Sequence, residues 1–254
     1  MLGQQEEEMR PPVQLRAEGL IPGPLETPSF FAARVDAATV RSDSWGRRVP
    51  LYQVNAVWVP INEQSMKLRF YEGGATLIEE SKQQPIKCEI LLNGGSLFLS
   101  EQAILEHELV HAVRCGFKDS LWEEVLSWAT CPSRIVRFFG WAVLDRLQLC
   151  LWGAGFVWIM FGISLELLWM ALLGAVLLGV GWWRSYGKHS ILKRAIRTLE
   201  GLNLPAWAIL LHLTEEEAQQ IASMGFAGLQ ELLSRLDMRM IFLKEAFPEL
   251  QQLV

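Results

Sequence analysis

His107-Glu108-Leu109-Val110-His111 places two imidazoles and a carboxylate within five residues. On a helix, positions i and i+4 lie one turn apart on the same face, so His107 and His111 can offer two nitrogens to one Zn²⁺ at roughly 2 Å. Glu108, beside the metal but not bound to it, is placed to take a proton from a coordinated water, the general-base role in metal-assisted hydrolysis. Only four histidines occur in the chain, and two of them stand here. A catalytic zinc also needs a third protein ligand and an open position for water. Glu123 and Glu124 follow His111 by 12 and 13 residues, in a segment from Ser120 to Trp128 that reads as a second helix.

The run from Ile104 to Val113, ILEHELVHAV, keeps uncharged residues at Leu105, Leu109, Val110 and Ala112 and a hydrophobic one at Val113. It resembles the extended signature of the HExxH zinc metallopeptidases. That resemblance implies a helix buried behind one Zn²⁺ per chain and hydrolysis of peptide bonds. In the gluzincin branch it further implies a third ligand given as Glu by a second helix, with a small residue three positions later. Glu124 followed by Ser127 fits that pattern, and Glu123 followed by Leu126 is the fallback. The HExxHxxGxxH alternative is absent, because Phe117 stands where its third His would be. Such enzymes also place a His, Tyr or Arg opposite the base to stabilise the oxyanion. Tyr71, His189, His212 and Arg114 are the candidates, and no motif selects among them.

The elements that must position these residues are those of a small α+β, zincin-like domain over residues 29–132. Ser29 caps a short helix from Phe30 to Val40, and Ser100 caps the zinc helix. Strands are expected at Gln53–Pro60, at Met66–Tyr71, where Met66, Leu68 and Phe70 alternate with polar or amphipathic neighbours, and at Ile86–Leu92. Gly73-Gly74 makes a turn between them. By the resemblance, Ile86–Leu92 is the sheet edge on which an extended peptide pairs. Residues 1–28, with five prolines and the Glu6-Glu7-Glu8 cluster, read as a mobile tail without the regions of a signal peptide.

Two uncharged runs follow, Leu147 to Leu165 (19 residues) and Leu167 to Trp183 (17 residues), separated by Glu166. At 1.5 Å per residue each reaches about 26 to 28 Å, close to the hydrocarbon thickness of a bilayer. Residues 133–190 therefore read as an interfacial helix and a two-span transmembrane hairpin. Arg134, Arg137 and Arg146 precede it, Arg184, Lys188, Lys193, Arg194 and Arg197 follow it, and the tip carries no cation. The positive-inside rule then puts both terminal regions in the cytoplasm. Residues 191–254 form an α-helical C-terminal domain: Thr214 to Glu217 is a capping box, Gly225 stops that helix, and another runs from about Gly228 to Phe247.

A net charge of −5 and a pI near 5.5 argue against nucleic acid as a partner, while a mean hydropathy of +0.20 with 11 Trp points to membrane lipid. Cys88, Cys115, Cys131 and Cys150 show neither CxxC pairing nor disulfide spacing, the usage of a reducing compartment. Cys115 lies one further turn beyond His111 and is either a thiolate near the metal or, more simply, an inert core thiol. Two readings from different classes result. One is a membrane-anchored zinc metallopeptidase acting on peptide or protein substrates near the cytoplasmic face. The other is a membrane scaffold, or degenerate peptidase, whose C-terminal helices bind a protein partner. An intramembrane protease is disfavoured, since HELVH lies outside the apolar spans.

Overall fold

Two short helices open the chain: α1 (Pro12–Ala17), with proline in its first turn, and α2 (Pro28–Ala37), whose N-cap Thr27 accepts from Phe30 N. The structure, a computed structural model, describes residues 10–24, 26–38, 48–62, 74–79, 86–93, 99–117, 120–142 and 146–253. Leu15, Leu20 and Ile21 are buried in the main core, and Trp58 Nε1 donates to the Glu18 carbonyl at 2.8 Å. Residues 10–24 are thus anchored, which corrects the expected tail. A six-residue helix is too short to show periodicity, so only its burial reveals it. Glu6-Glu7-Glu8 lies outside the described residues. The expected cap Ser29 is replaced by Thr27, two residues earlier.

β1 (Arg48–Val49) and β2 (Val54–Asn55) form a small antiparallel pair around a 3₁₀ turn at Pro50–Tyr52. β3 (Ile61–Asn62) runs parallel to β5 (Lys87–Leu92), and β4 (Gly74–Glu79) runs antiparallel on the other side of β5. The order β3-β5-β4 makes β5 central, correcting its expected place at the edge. Strand order is decided by tertiary pairing, which a hydrophobic run does not encode. Among the described residues β4 is an edge. The strand expected at Met66–Tyr71 lies outside the described residues, and the one expected at Gln53–Pro60 shrinks to β2.

Ser100 caps α3 (Glu101–Val113) as expected, its hydroxyl accepting from Ala103 N. Ile104, Leu105, Leu109, Val110, Ala112 and Val113 are buried, and the helix packs on β4, β5 and the helix that follows, α4 (Ser120–Ala129). Gly74, expected in a turn, instead opens β4. A Cβ there would lie 2.6 Å from Ile104 Cγ2 and 3.2 Å from Glu108 Cγ, so glycine lets the strand close on α3. α5 (Arg134–Ala142) then packs on α4.

α6 (Arg146–Ser164) and α7 (Leu168–Gly201) form the antiparallel hairpin, turning where Glu166 adopts φ 56°. Only 17% and 18% of their apolar windows is buried. Phe156, Met160, Phe161, Leu168, Trp169 and Leu172 point outward. A soluble core would hide such residues, and water would not tolerate so continuous an apolar surface. The pair therefore defines an integral-membrane, two-span topology. Between the helices Gln148 Nε2 donates to Ser185 Oγ at 2.8 Å, and Gly155 faces Gly174, the small-residue and hydrogen-bonded contacts that hold helices together in lipid.

At 34 residues α7 is about 51 Å long, well beyond a hydrocarbon layer. Its second half enters the body, where Leu192, Ala195 and Leu199 are buried. The boundary expected at residue 190 falls inside this continuous helix. α8 (Ala206–Leu210), α9 (Glu215–Met224), α10 (Phe226–Leu233), α11 (Met238–Ala246) and α12 (Pro248–Gln251) complete the chain. The capping box on α9 is formed as expected. The single helix expected from Gly228 to Phe247 is broken, because the Asp237 carboxylate caps a new helix at Met240 N. These helices share one core with the N-terminal elements, Phe31 meeting Phe242 edge-on at 5.8 Å.

Among the described residues Arg34 with Glu26 and Arg239 with Glu217 form buried ion pairs, the second inside this shared core. Arg239 grips both oxygens of Glu217 and also donates to the His212 carbonyl at 2.9 Å. Burial opposes charge on Glu217, but hydrogen bonds and charge from Arg239, with Thr214, outweigh it and hold the carboxyl below its ordinary range. A lowered carboxyl stabilises the fold above the unfolded pKa and loses that contribution as pH falls through the folded value. Glu217→Gln, which strands a buried guanidinium, is expected to cost about 3 to 5 kcal/mol at pH 7. Denaturant unfolding in detergent should show this gap closing as pH falls below the carboxylate range.

Candidate metal centre

α3 and α4 bring His107, His111 and Glu124 together, with one ligand atom from each lying within 4.8 Å of the others. His107 Nε2 is 3.6 Å from Glu124 Oε2, and His111 Nε2 is 3.5 Å from Glu124 Oε1. Ligands at about 2.0–2.1 Å from a tetrahedral zinc stand about 3.4 Å apart. The cluster therefore suits one metal ion, and its two nitrogens and one oxygen are a donor set that zinc accepts. This is the gluzincin-type arrangement: HExxH on one helix and Glu on the next.

Adjacent residues on a helix point about 100° apart, and α4 uses this to give its two carboxylates different surroundings. The Glu124 side chain is 33% exposed and faces both imidazoles. The Glu123 side chain is 8% exposed and sits behind His111, its Oε2 3.4 Å from Nδ1. With Nδ1–H donating to Glu123, the lone pair of Nε2 points toward the cluster. Ser127 Oγ donates to the Glu123 carbonyl at 2.8 Å, so its 3.2 Å approach to His111 Nε2 supplies no proton there. Glu124 thus lies among the clustered ligand atoms, while Glu123 lies against His111 Nδ1 on the far side of the ring.

Burial, reinforced by the neighbouring His111, pushes the His107 imidazole well below its ordinary pKa, which keeps it neutral and able to donate a lone pair. Burial also opposes charge on His111, but the hydrogen bond to Glu123 and the charges of Glu124, Glu108 and Glu123 outweigh it and raise its pKa. Burial raises both Glu108 and Glu124. Glu123 and Glu124 beside two imidazoles are a donor set whose charge a divalent cation balances.

The Glu108 carboxylate meets β4 and lies close enough to His111 and Glu124 for its charge to act on both. The Thr76 hydroxyl bridges Glu108 Oε2, at 2.8 Å, and the Glu108 backbone carbonyl, at 2.9 Å. Trp128 lies against His107, ring centroids 4.7 Å apart, and hydrogen-bonds Glu124. Behind Trp128 stands Gly140 of α5, where a Cβ would lie 2.1 Å from the indole. Thr76 and Trp128 carried no sequence signal of function. Thr76 follows the strand the alternation marks, and Trp128 is one of 11 tryptophans.

Among the described residues the proposed oxyanion donors lie apart from the ligand atoms. Arg114 Nε lies 4.0 Å from Glu123 Oε1, while its Nη1 donates to the Leu211 and Leu213 carbonyls at 2.6 and 3.0 Å. His212 is buried between Phe242 and Phe247, its pKa pushed down to about 3 by burial and then by Arg16, Arg114 and Arg239. His189 lies on α7, and Tyr71 is outside the described residues. Cys115 is buried in the core beside Cys88. Neither a protein-family model, nor a curated protein, nor a solved structure matches the chain. Glu123→Gln is expected to weaken zinc affinity about 10- to 100-fold, whereas Glu124→Ala should abolish stoichiometric binding. Competition against a chromophoric zinc chelator distinguishes the two.

Proposed function

We propose that the protein is a membrane-anchored zinc metallopeptidase hydrolysing peptides or proteins near the cytoplasmic membrane face. The observation that carries this reading is the convergence of His107, His111 and Glu124 beside a Glu108 that is held by Thr76. His107, His111 and Glu124 would hold the ion. Bound there, Zn²⁺ polarises a substrate carbonyl and lowers the pKa of a coordinated water toward about 7.

The chain's own residues supply the rest. Thr76 fixes the Glu108 carboxylate in direction, and burial raises its pKa above the ordinary carboxylate value, which makes it a better proton acceptor. Glu108 accepts the proton of the attacking water and delivers it to the leaving amine. Glu123 holds the tautomer of His111, and Trp128 excludes water from one side of the triad while fixing Glu124. Exposure of Glu124 leaves the other side open to a substrate.

Purified with zinc under reducing conditions, the protein is expected to carry about one ion per chain. Glu108→Gln should retain that ion while cleavage of a peptide library falls about 10²- to 10⁴-fold. Wild-type protein that stays metal-free would end this reading and leave the scaffold. The cytoplasmic placement follows from the cations flanking the hairpin. A Glu166→Cys variant should accordingly react with an impermeant maleimide added outside intact cells; reaction only after lysis would reverse the orientation.

A further inference from the structure

Where α7 leaves the apolar hairpin, a cleft of about 460 Å³ opens between it and α5. One wall is aromatic. Phe138 of α5 lies 5.3 Å from Trp182, ring centroid to centroid, and Tyr186 stands one turn further along α7. The other end is cationic, formed by Lys193, Arg194 and Arg197. His189 and Ser190 line the space between, and among the described residues no acidic side chain does.

These residues share a face because their spacing is helical: 182, 186, 189, 190, 193, 194 and 197 follow one stripe of α7. The three cations are exposed, and none forms an ion pair with a carboxylate among the described residues. Lys188 differs, for on another face of the same helix it is paired with Glu215. The neutralised cation faces the protein, and the unneutralised ones face the cleft.

The direction of α7 adds a second constraint. Its N-terminus is in the membrane segment, and side chains of a helix lean toward its N-terminus. Lys193, about 16 Å beyond Trp182 along the axis, therefore leans back toward the bilayer, as do Arg194 and Arg197. Their charge and the aromatic wall at the hydrocarbon boundary meet in one cleft. The geometry points to a binding site for an anionic phospholipid, one acyl chain against Phe138 and Trp182 and the phosphate among Lys193, Arg194 and Arg197. A zwitterionic lipid would bring its own cation into a space already lined by three.

The test is native mass spectrometry of the full chain released from detergent after titration with phosphatidylglycerol or phosphatidylcholine. One phosphatidylglycerol per chain should survive conditions that strip phosphatidylcholine. At about 1 kcal/mol per cation near an anionic headgroup, Lys193→Gln/Arg194→Gln/Arg197→Gln should weaken retention about 100-fold. Arg48→Gln/Lys87→Gln/Lys244→Gln, which removes the same charge elsewhere, should retain the lipid like wild type. Equal retention of the two lipids by wild type, equal loss in both triple variants, or displacement of the lipid by millimolar inorganic phosphate would each overturn the proposal. The last would identify a free oxyanion as the ligand. The wild-type comparison needs no variant to fold.

Discussion

The metal centre depends on the contact between the Glu123 carboxylate and His111 Nδ1. A histidine holds a metal only if one nitrogen is bare and aimed, and that is decided by what the other nitrogen meets. Glu123 is in turn approached by Arg114, whose guanidinium lies over the Phe117 ring at 3.9 Å and binds two carbonyls at the end of α8. Burying a carboxylate and a guanidinium costs several kcal/mol each unless both are paired. The C-terminal helices supply the carbonyls that make this burial tolerable. They are therefore part of the metal centre's support, three side chains removed from it, rather than an appended bundle.

This dependence explains what the sequence disclosed. His107 and His111 were legible because i and i+4 on a helix are neighbours whatever the rest of the chain does, and Ser100 because a cap is equally local. The hairpin was legible from length and absence of charge. Glu123 and Glu124 could not be separated by spacing, since both lie on α4 and only the rotation of α4 against α3 decides which faces the imidazoles. The place of β5 in the sheet, the anchoring of α1 and the role of Thr76 are likewise products of tertiary pairing. The break before α11 is a different case. Asp237 three residues before Met240 is a local capping signal, hidden by an apolar stripe that continues across it.

The same α4 that supplies Glu124 also ties the centre to the membrane elements. Trp128 sits with one side on His107 and the other on Gly140 of α5, so closely that no side chain fits between the helices there. α5 packs on α7, and α7 runs without interruption from the hairpin into the main core. A shift of the hairpin relative to the body must either bend a continuous helix or move α5 against Trp128. Packed interiors resist such displacement because small gaps forfeit many contacts at once. Among the described residues the His-His-Glu cluster and the hairpin are consequently joined through packed helices.

Within that packing the centre satisfies two opposed demands. One is a dry carboxylate, and Glu108, only 9% exposed and bound by Thr76, is that. The other is access from solvent to the clustered ligand atoms, which the half-buried Glu124 keeps open. The helix α3 meets both demands through its periodicity: residues 107 and 111 share a face, while residue 108 is turned about 100° toward β4. Gly74 lets that strand close over the dry side. An open side on β4 would leave Glu108 hydrated, and a closed side at Glu124 would shut the cluster off from solvent. The fold's asymmetry around one helix turn is what lets a single short motif present two imidazoles on one face and a buried carboxylate on another.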